Sequence, residues 1–323
     1  MRSLNRNRLA RFFLLVLSLG LSLVAAELVA RLTGYRPARA RSITEEPSTV
    51  FDGELGWTNR PGAHLPWGDG EAIFWPDASR RTRRVEHTAA QRAVLVLGCS
   101  YTQGFGVRDE DTFAWKLQQR FPEFDFRNFG TAAYGTYQSL LRFRRWLREG
   151  HRPPELVIYG FAAFQGVRDR ATRAWMDQLV QTRGFVPPHV DIVRGRVVEF
   201  AGRSLPRSQW SQRFALWNLA EGEFEQEGDF AIDDRALTIG VQKSVLEMLQ
   251  KEVASAGSRL LLANLWTAPV GREEWRLFFA DQRMLTADCS VDGLPYRHPD
   301  LFWHARHADC IEEAIRSSGV LHE

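Results

Sequence analysis

The stretch Ala93–Val107, AVLVLGCSYTQGFGV, constrains this chain more than any other. The apolar, β-branched run from Ala93 to Leu97 has the length of a strand, and its lack of alternation marks a strand buried on both faces. Gly98 ends the run and permits a tight turn with Ser100 at its lip. Thr102, Gly104 and Gly106 keep the next residues small or flexible, and a helix begins at Asp111 or Thr112. A serine at the carboxyl end of a buried parallel strand, just ahead of outward-pointing backbone N–H groups, suits nucleophilic chemistry. A hydroxyl that only caps the backbone fits the same turn, and taken alone the turn favours that plainer role.

The flanking pattern predicts an α/β fold. A helix over Thr112 to Arg120 carries Phe113 and Leu117 on one face, with Phe121 just beyond. FDFRNFG (124–130) reads as a second strand, 135–148 as a helix, and ELVIYGF (155–161) as a third strand. A helix over 237–256, a strand over 258–266 and a terminal helix over 299–317 follow. Strands alternating with helices indicate a parallel sheet covered on both faces. The segment 165–236 interrupts this rhythm with a hairpin turning at Gly195 and an acidic tract, EGEFEQEGD, and reads as an insertion beside the carboxyl ends of the strands. Residues 32–90, rich in Pro, Gly and Arg, read as a linker and a small cap, with short strands in FDGELGW (51–57) and EAIFW (71–75). The expected division is 1–31, 32–90 and 91–323.

The N-terminus combines Arg2, Arg6, Arg8 and Arg11 with an uncharged run from Phe12 to Ala26, the pattern of an export signal. The run is shorter than the ~20 residues that span a bilayer comfortably unless the helix carries Glu27 near its outer end. Val24 and Ala26 are small enough for a cleavage site. The segment is therefore an uncleaved anchor or a signal peptide, and the rest of the chain is expected outside the cytoplasm, in a bacterial periplasm. Cys99, Cys289 and Cys310 leave at least one thiol unpaired. Cys99 is expected to be buried, while Cys289 and Cys310 are equally compatible with a disulfide and with two free thiols. The net charge of +3 is too mild and scattered to suggest nucleic acid as a partner.

GCSYTQG, then NFGTAAYGT, then a strand ending YGF, then a late DG…HPD before a terminal helix resembles the SGNH (GDSL-type) hydrolase superfamily. More narrowly, the chain is similar to exported bacterial members with an N-terminal anchor and an LGW preface. The resemblance implies a three-layer α/β/α domain with a mostly parallel, flavodoxin-like sheet, no cofactor and no metal. It implies Ser100 as the nucleophile and as one oxyanion donor through its own N–H. The second-block glycine falls on Ala133, and the third-block asparagine on Phe164 or Gln165. Phe164 cannot donate a hydrogen bond, so Gln165 is the candidate donor. The late Asp and His fall on Asp292 and His298, six residues apart rather than the usual three. A rival alignment over PDLFWHARH puts Phe302 at the histidine position and leaves no base.

Other residues are assigned plainer roles. His304, His307 and Cys310 share a helix face with metal-ligand spacing, but no distant fourth ligand suggests itself and a partly buried helix face is favoured. Arg142, Arg144, Arg145 and Arg148 read as a solvated helix face, and His151 and His189 as solvated turn residues. Trp175, Trp210 and Trp266 are more often core than sugar platforms. Two function classes remain. One is an esterase or acyltransferase acting on acyl groups of an envelope carbohydrate or lipid. The other is a degenerate module that binds glycan or a biosynthetic partner with the same cleft.

Overall fold

A computed structural model describes residues 2–33, 48–64, 71–86, 88, 90–172, 175–176, 185–204, 214–216, 234–290 and 298–321. The chain divides into two compact units. One comprises 1–45, 177–184 and 204–230, the other 46–176, 185–203 and 231–323.

In the first unit, α1 (Arg2–Leu32) contains a stretch, Arg8–Leu32, of mean hydropathy 2.4, long and apolar enough to be a membrane span or a signal sequence. The helix does continue through Glu27. That carboxylate accepts hydrogen bonds from Arg31 Nε at 2.7 Å and from the backbone N–H groups of Ala215 and Leu216 at 2.9 and 2.8 Å.

The second unit is built on five parallel strands: β5 (Arg92–Gly98), β6 (Phe124–Asn128), β7 (Leu156–Ala162), β10 (Arg259–Trp266) and β11 (Leu285–Asp288). Their order across the sheet is β11-β10-β7-β5-β6. Counting the five in chain order gives 2-1-3-4-5, the doubly wound arrangement whose ligand crevice lies beyond the carboxyl ends of the first and third strands. The uninterrupted apolar runs follow from that position. All seven residues of β7 and Val94–Leu97 of β5 are buried, because helices cover both faces of the sheet. The helices are α2 (Ser100–Gln103), α3 (Phe113–Arg120), α4 (Thr136–Arg148), α5 (Gly166–Asp169), α6 (Arg235–Ser255), α7 (Arg272–Asp281) and α8 (Leu301–Ser318). Thr112 begins α3 as its cap, with its hydroxyl accepting from Trp115 N–H at 3.2 Å.

Residues 48–64 and 71–86 belong to the same unit. β1 (Thr49–Asp52) pairs with β2 (Gly56–Asn59), and β3 (Gly62–His64) with β4 (Ala72–Phe74). The hairpin at Gly195 is present as β8 (His189–Val193) and β9 (Arg196–Phe200). Arg194 and Gly195 both have positive φ, 52° and 74°, as a two-residue hairpin turn requires.

Two sequence expectations are revised. The α4 arginines are not a solvated face. Arg142 is buried, its guanidinium 3.9 Å from the Phe129 ring centroid. Arg144 bridges Glu199 of β9 and Glu252 of α6, Arg145 bridges Asp52 and Glu54, and Arg148 also reaches Glu54. These pairs tie α4 to three other segments. Burial opposes ionisation of Asp52, yet hydrogen bonds from Arg145 and from the Leu55 and Glu54 N–H groups outweigh it and hold its pKa at about 2. Second, His189 is not a solvated turn residue but lies partly buried in β8, while His151 is exposed in a loop as expected. His151 stacks on Trp146 with ring centroids 4.0 Å apart, and His189 on Phe200 at 4.9 Å. Of the two readings open for Cys289 and Cys310 the structure has the disulfide, and Cys99 is a buried free thiol, as expected. The bond removes Cys310 from any metal set. His304 and His307 are buried against Phe113 on α8, and burial pushes the His307 pKa down to about 4.

Candidate active site

The crevice position places β5, the turn after it and β7 at the centre of the site. Gly98 and Gly160 are register partners on adjacent strands. A Cβ on Gly98 would lie 2.2 Å from Thr102 Oγ1, and one on Gly160 would lie 2.0 Å from the same atom. The two glycines thus leave a notch into which Thr102 packs, and that seats α2 directly on the strand ends. Ser100 is the first residue of α2, after Cys99 in extended conformation (φ −93°, ψ −159°).

His298 reaches this serine from far along the chain. Its Nε2 lies 3.0 Å from Ser100 Oγ, and its ring sits between Phe105, centroids 4.4 Å apart, and Tyr101 at 5.8 Å. Two anchors flank the segment that carries it. The Cys289–Cys310 disulfide joins the end of β11 to α8. The Asp300 carboxylate caps α8 by accepting from the Phe302 and Trp303 N–H groups at 3.0 and 3.1 Å. Phe302, the position favoured by the rival alignment, is 56% exposed on the first turn of α8. Burial chiefly, and then the nearby Arg168 cation, push the His298 pKa below that of a free imidazole. The ring is therefore neutral at pH 7. With its proton on Nδ1, Nε2 accepts from the Ser100 hydroxyl, the geometry in which an imidazole can remove that proton. Asp292 lies outside the described residues.

The loop after β6 faces the same turn. Gly130 packs so closely on α2 that a Cβ there would lie 2.4 Å from Gln103 N. Ala133 follows with φ 68°, a left-handed conformation that residues with a Cβ seldom adopt. The cap holds this loop in place. Trp57 Nε1 donates to Ala132 O at 2.8 Å, Asn59 Nδ2 donates to Gly130 O at 3.0 Å, and the Tyr134 hydroxyl donates to Trp57 O. The LGW preface is therefore a support for the Ala133 loop, a role visible only once the two segments are seen in contact.

Ala133 yields a direct test. Its conformation costs an alanine about 1–2 kcal/mol, whereas glycine adopts it freely and loses about 0.4–1 kcal/mol through greater freedom of the unfolded chain. Ala133→Gly should therefore leave thermal stability unchanged or raise it by up to about 1 kcal/mol. A loss of ~1 kcal/mol in reversible melting, the usual cost of glycine at a helical alanine, would contradict the left-handed backbone.

Gln165 is placed differently from the expectation. It is fully buried, and its Oε1 accepts from the Tyr159 hydroxyl and from Ala162 N–H, both at 2.8 Å. Its Nε2 points back to Gly160 O at 3.4 Å. The amide thus closes the turn after β7 rather than facing Ser100. Arg168, one turn further on, does face the site. Its Nη1 donates to Tyr134 O at 3.0 Å, and its guanidinium lies over Phe164 and Trp175, 4.7 and 5.0 Å from the ring centroids. Trp266 packs on Phe164 at 5.5 Å, and Trp210 lies outside the described residues.

Arg80 was not singled out from the sequence. It is 1% exposed, pairs with the buried Asp109 at 2.8 Å, and donates to the carbonyls of Gln103 (2.9 Å), Gly104 (2.5 Å) and Val107 (2.6 Å). It fastens the chain that leaves Ser100. Its signal was hidden in the run SRRTRR, where nothing distinguishes one arginine from its neighbours.

No protein-family model matches the chain, and no curated protein matches it. Among solved structures, TesA is similar at 13% identity and a TM-score of 0.42, covering 71% of this chain and 100% of its own. Esterase EstA from Pseudoalteromonas sp. is similar at 12% identity and a TM-score of 0.42, covering 70% of this chain and 98% of its own. An acetyl xylan esterase from Geobacillus stearothermophilus is similar at 11% identity and a TM-score of 0.38, covering 70% of this chain and 95% of its own. The fold class itself, a doubly wound α/β sheet with a serine–histidine pair beyond its first strand, is defined by the chain's own strand order and contacts.

Proposed function

We propose that this chain is a serine esterase or acyltransferase of SGNH type, acting on acyl esters of a cell-envelope carbohydrate or lipid. The observation that carries the reading is the 3.0 Å contact between Ser100 Oγ and His298 Nε2. Residues almost two hundred positions apart meet at the strand ends where a doubly wound fold binds ligands. In the proposed mechanism Ser100 attacks the ester carbonyl while His298 takes its proton. The N–H groups of Ser100 and Ala133 stabilise the oxyanion, and His298 then protonates the leaving alkoxide. Water or a second hydroxyl releases the acyl group, which separates hydrolase from transferase. Asp292 is the proposed carboxylate that orients the imidazole. The apolar α1 would hold the enzyme at a bacterial inner membrane with this domain in the periplasm, or direct its secretion if cleaved. No cofactor enters the scheme.

One observation favours the alternative, a module that binds glycan or a biosynthetic partner without turnover. Gln165 does not offer the side-chain donor that the resemblance calls for. Labelling with a fluorophosphonate separates the two. Wild-type protein should label and Ser100→Ala should not; an unlabelled wild type, active on no activated ester, leaves the binding module.

The pH dependence has a definite sign. His298 serves as base only when neutral, and its pKa is lowered first by burial and then by Arg168. The acid limb of kcat/KM should therefore have its midpoint below the ~6.5 of a free imidazole. The same shift affects stability. Below about pH 6.5 the unfolded chain binds this proton more readily than the folded one, so the contribution is present above that pH and is lost as pH falls through the window. An acid limb centred above 6.5 would rule out a buried, neutral His298 as the base.

A further inference from the structure

Arg168 is a cation held at the site with no ion pair among the described residues. Its guanidinium is sandwiched by Phe164 and Trp175, and one nitrogen is tied to Tyr134 O, next in the chain to Ala133. An arginine stacked in this way has a defined plane, so its remaining N–H groups project along fixed directions. Among the described residues Arg168 forms no ion pair, although other arginines of the unit are heavily paired. Arg144 and Arg145 each engage two carboxylates. Asp169, its neighbour in sequence, turns away to accept from Tyr137 N–H at 2.7 Å at the start of α4. Burial pushes its pKa up to about 7, against the lowering effect of its hydrogen bonds and of the Arg168 charge, so Asp169 balances that cation only in part. A solvated surface arginine needs no partner, but this one is only partly exposed and is held rigidly by two rings and a carbonyl. It also lies close enough to His298 to disfavour the charged imidazole, which a substrate anion would partly offset.

We propose that Arg168 is an anion-binding residue that selects esters carrying a carboxylate or phosphate beside the scissile group. The free edge of a stacked guanidinium matches the paired oxygens of either anion. The flanking rings would hold the apolar face of the sugar or glyceryl unit that bears it. This rests on the Ser100–His298 reading only for the word "scissile"; the anion site itself does not require turnover.

The test uses the full chain and three probes that differ only in the group at carbon 6: acetylated glucose, acetylated glucuronate and acetylated glucose 6-phosphate. Wild-type kcat/KM should favour one or both anionic probes over the neutral one by about 10–100-fold, mainly through KM. Arg168→Met should reduce that ratio towards one, and Arg168→Lys should recover part of it. Preference for glucuronate points to an acidic glycan, and preference for the phosphate to a phosphorylated acceptor. Calorimetry with glucuronate and glucose 6-phosphate on the same proteins decides the anion site even without turnover. Anion binding that is lost in Arg168→Met, with no hydrolysis of any probe, supports the anion site and removes the catalytic reading. Hydrolysis of all three probes with equal kcat/KM, or anion binding that persists in Arg168→Met, overturns the anion site and leaves the catalytic reading intact.

Discussion

Replacing Ser100 or His298 by alanine is expected to lower kcat on any ester that the protein turns over by about 10⁴–10⁶-fold. The double variant should be no worse than either single one, because both substitutions disable the same proton transfer. Additive losses would mean two independent contributions and would break the pair. Folding should survive both changes. Ser100 contributes one small side chain at the lip of a turn whose packing depends on Gly98, Gly130, Gly160 and Thr102. His298 sits outside the central hydrophobic cluster, in a segment anchored by the disulfide and the Asp300 cap. A circular dichroism melt close to wild type would therefore accompany the lost activity. A joint loss of fold and activity in both single variants would mean that the residues support the turn rather than perform chemistry.

The sheet could be read from the sequence because its physics is local. β5, β7 and β10 are continuous apolar runs, and the helices between them carry caps and faces of ordinary periodicity. β11 escaped because it is four residues long and at the sheet edge, with Thr286 and Asp288 exposed, so its apolar–polar alternation covers only two pairs and no apolar run marks it. The α4 arginines were misjudged for a related reason. A charged run on a helix looks the same whether it faces water or carboxylates, and Glu199 and Glu252 lie 55 and 108 positions away in sequence.

The site was partly legible. The turn at Ser100 announces itself through its small residues, and the HPD triplet offered one histidine in the right place. What could not be seen was everything held by tertiary contact. Trp57 and Asn59 support the Ala133 loop, Gln165 turns inward to close its own turn, and Arg168 is tied to Tyr134 O beside that loop. None of these roles has a spacing rule, because each depends on two segments meeting in the folded chain. Arg80 is the extreme case, since a fully buried cation is improbable from any local pattern.

Arg80→Met is the second substitution with a large expected effect. The side chain fills the space inside the loop 103–109 and supplies N–H donors to three carbonyls there, while its charge balances Asp109. Burial works against the arginine's charge and lowers its pKa, and the Asp109 carboxylate offsets part of that cost. Methionine keeps much of the volume but leaves the buried Asp109 with the partly exposed Arg81, at 2.8 Å, and the Ile73 N–H, and leaves three carbonyls without their donor. Breaking a buried pair from one side costs about 3–5 kcal/mol. For a domain of this size that corresponds to a Tm lower by roughly 6–20 °C. Activity should fall further than stability, because the loop that loses its fastening is the one that leaves Ser100 and carries Phe105 against His298. Replacing both members, Arg80→Met with Asp109→Leu, removes the uncompensated charge and should recover part of the Tm but not the activity. If Arg80→Met melts within 2 °C of wild type, roughly what ~1 kcal/mol would produce, the buried pair is not what holds the loop.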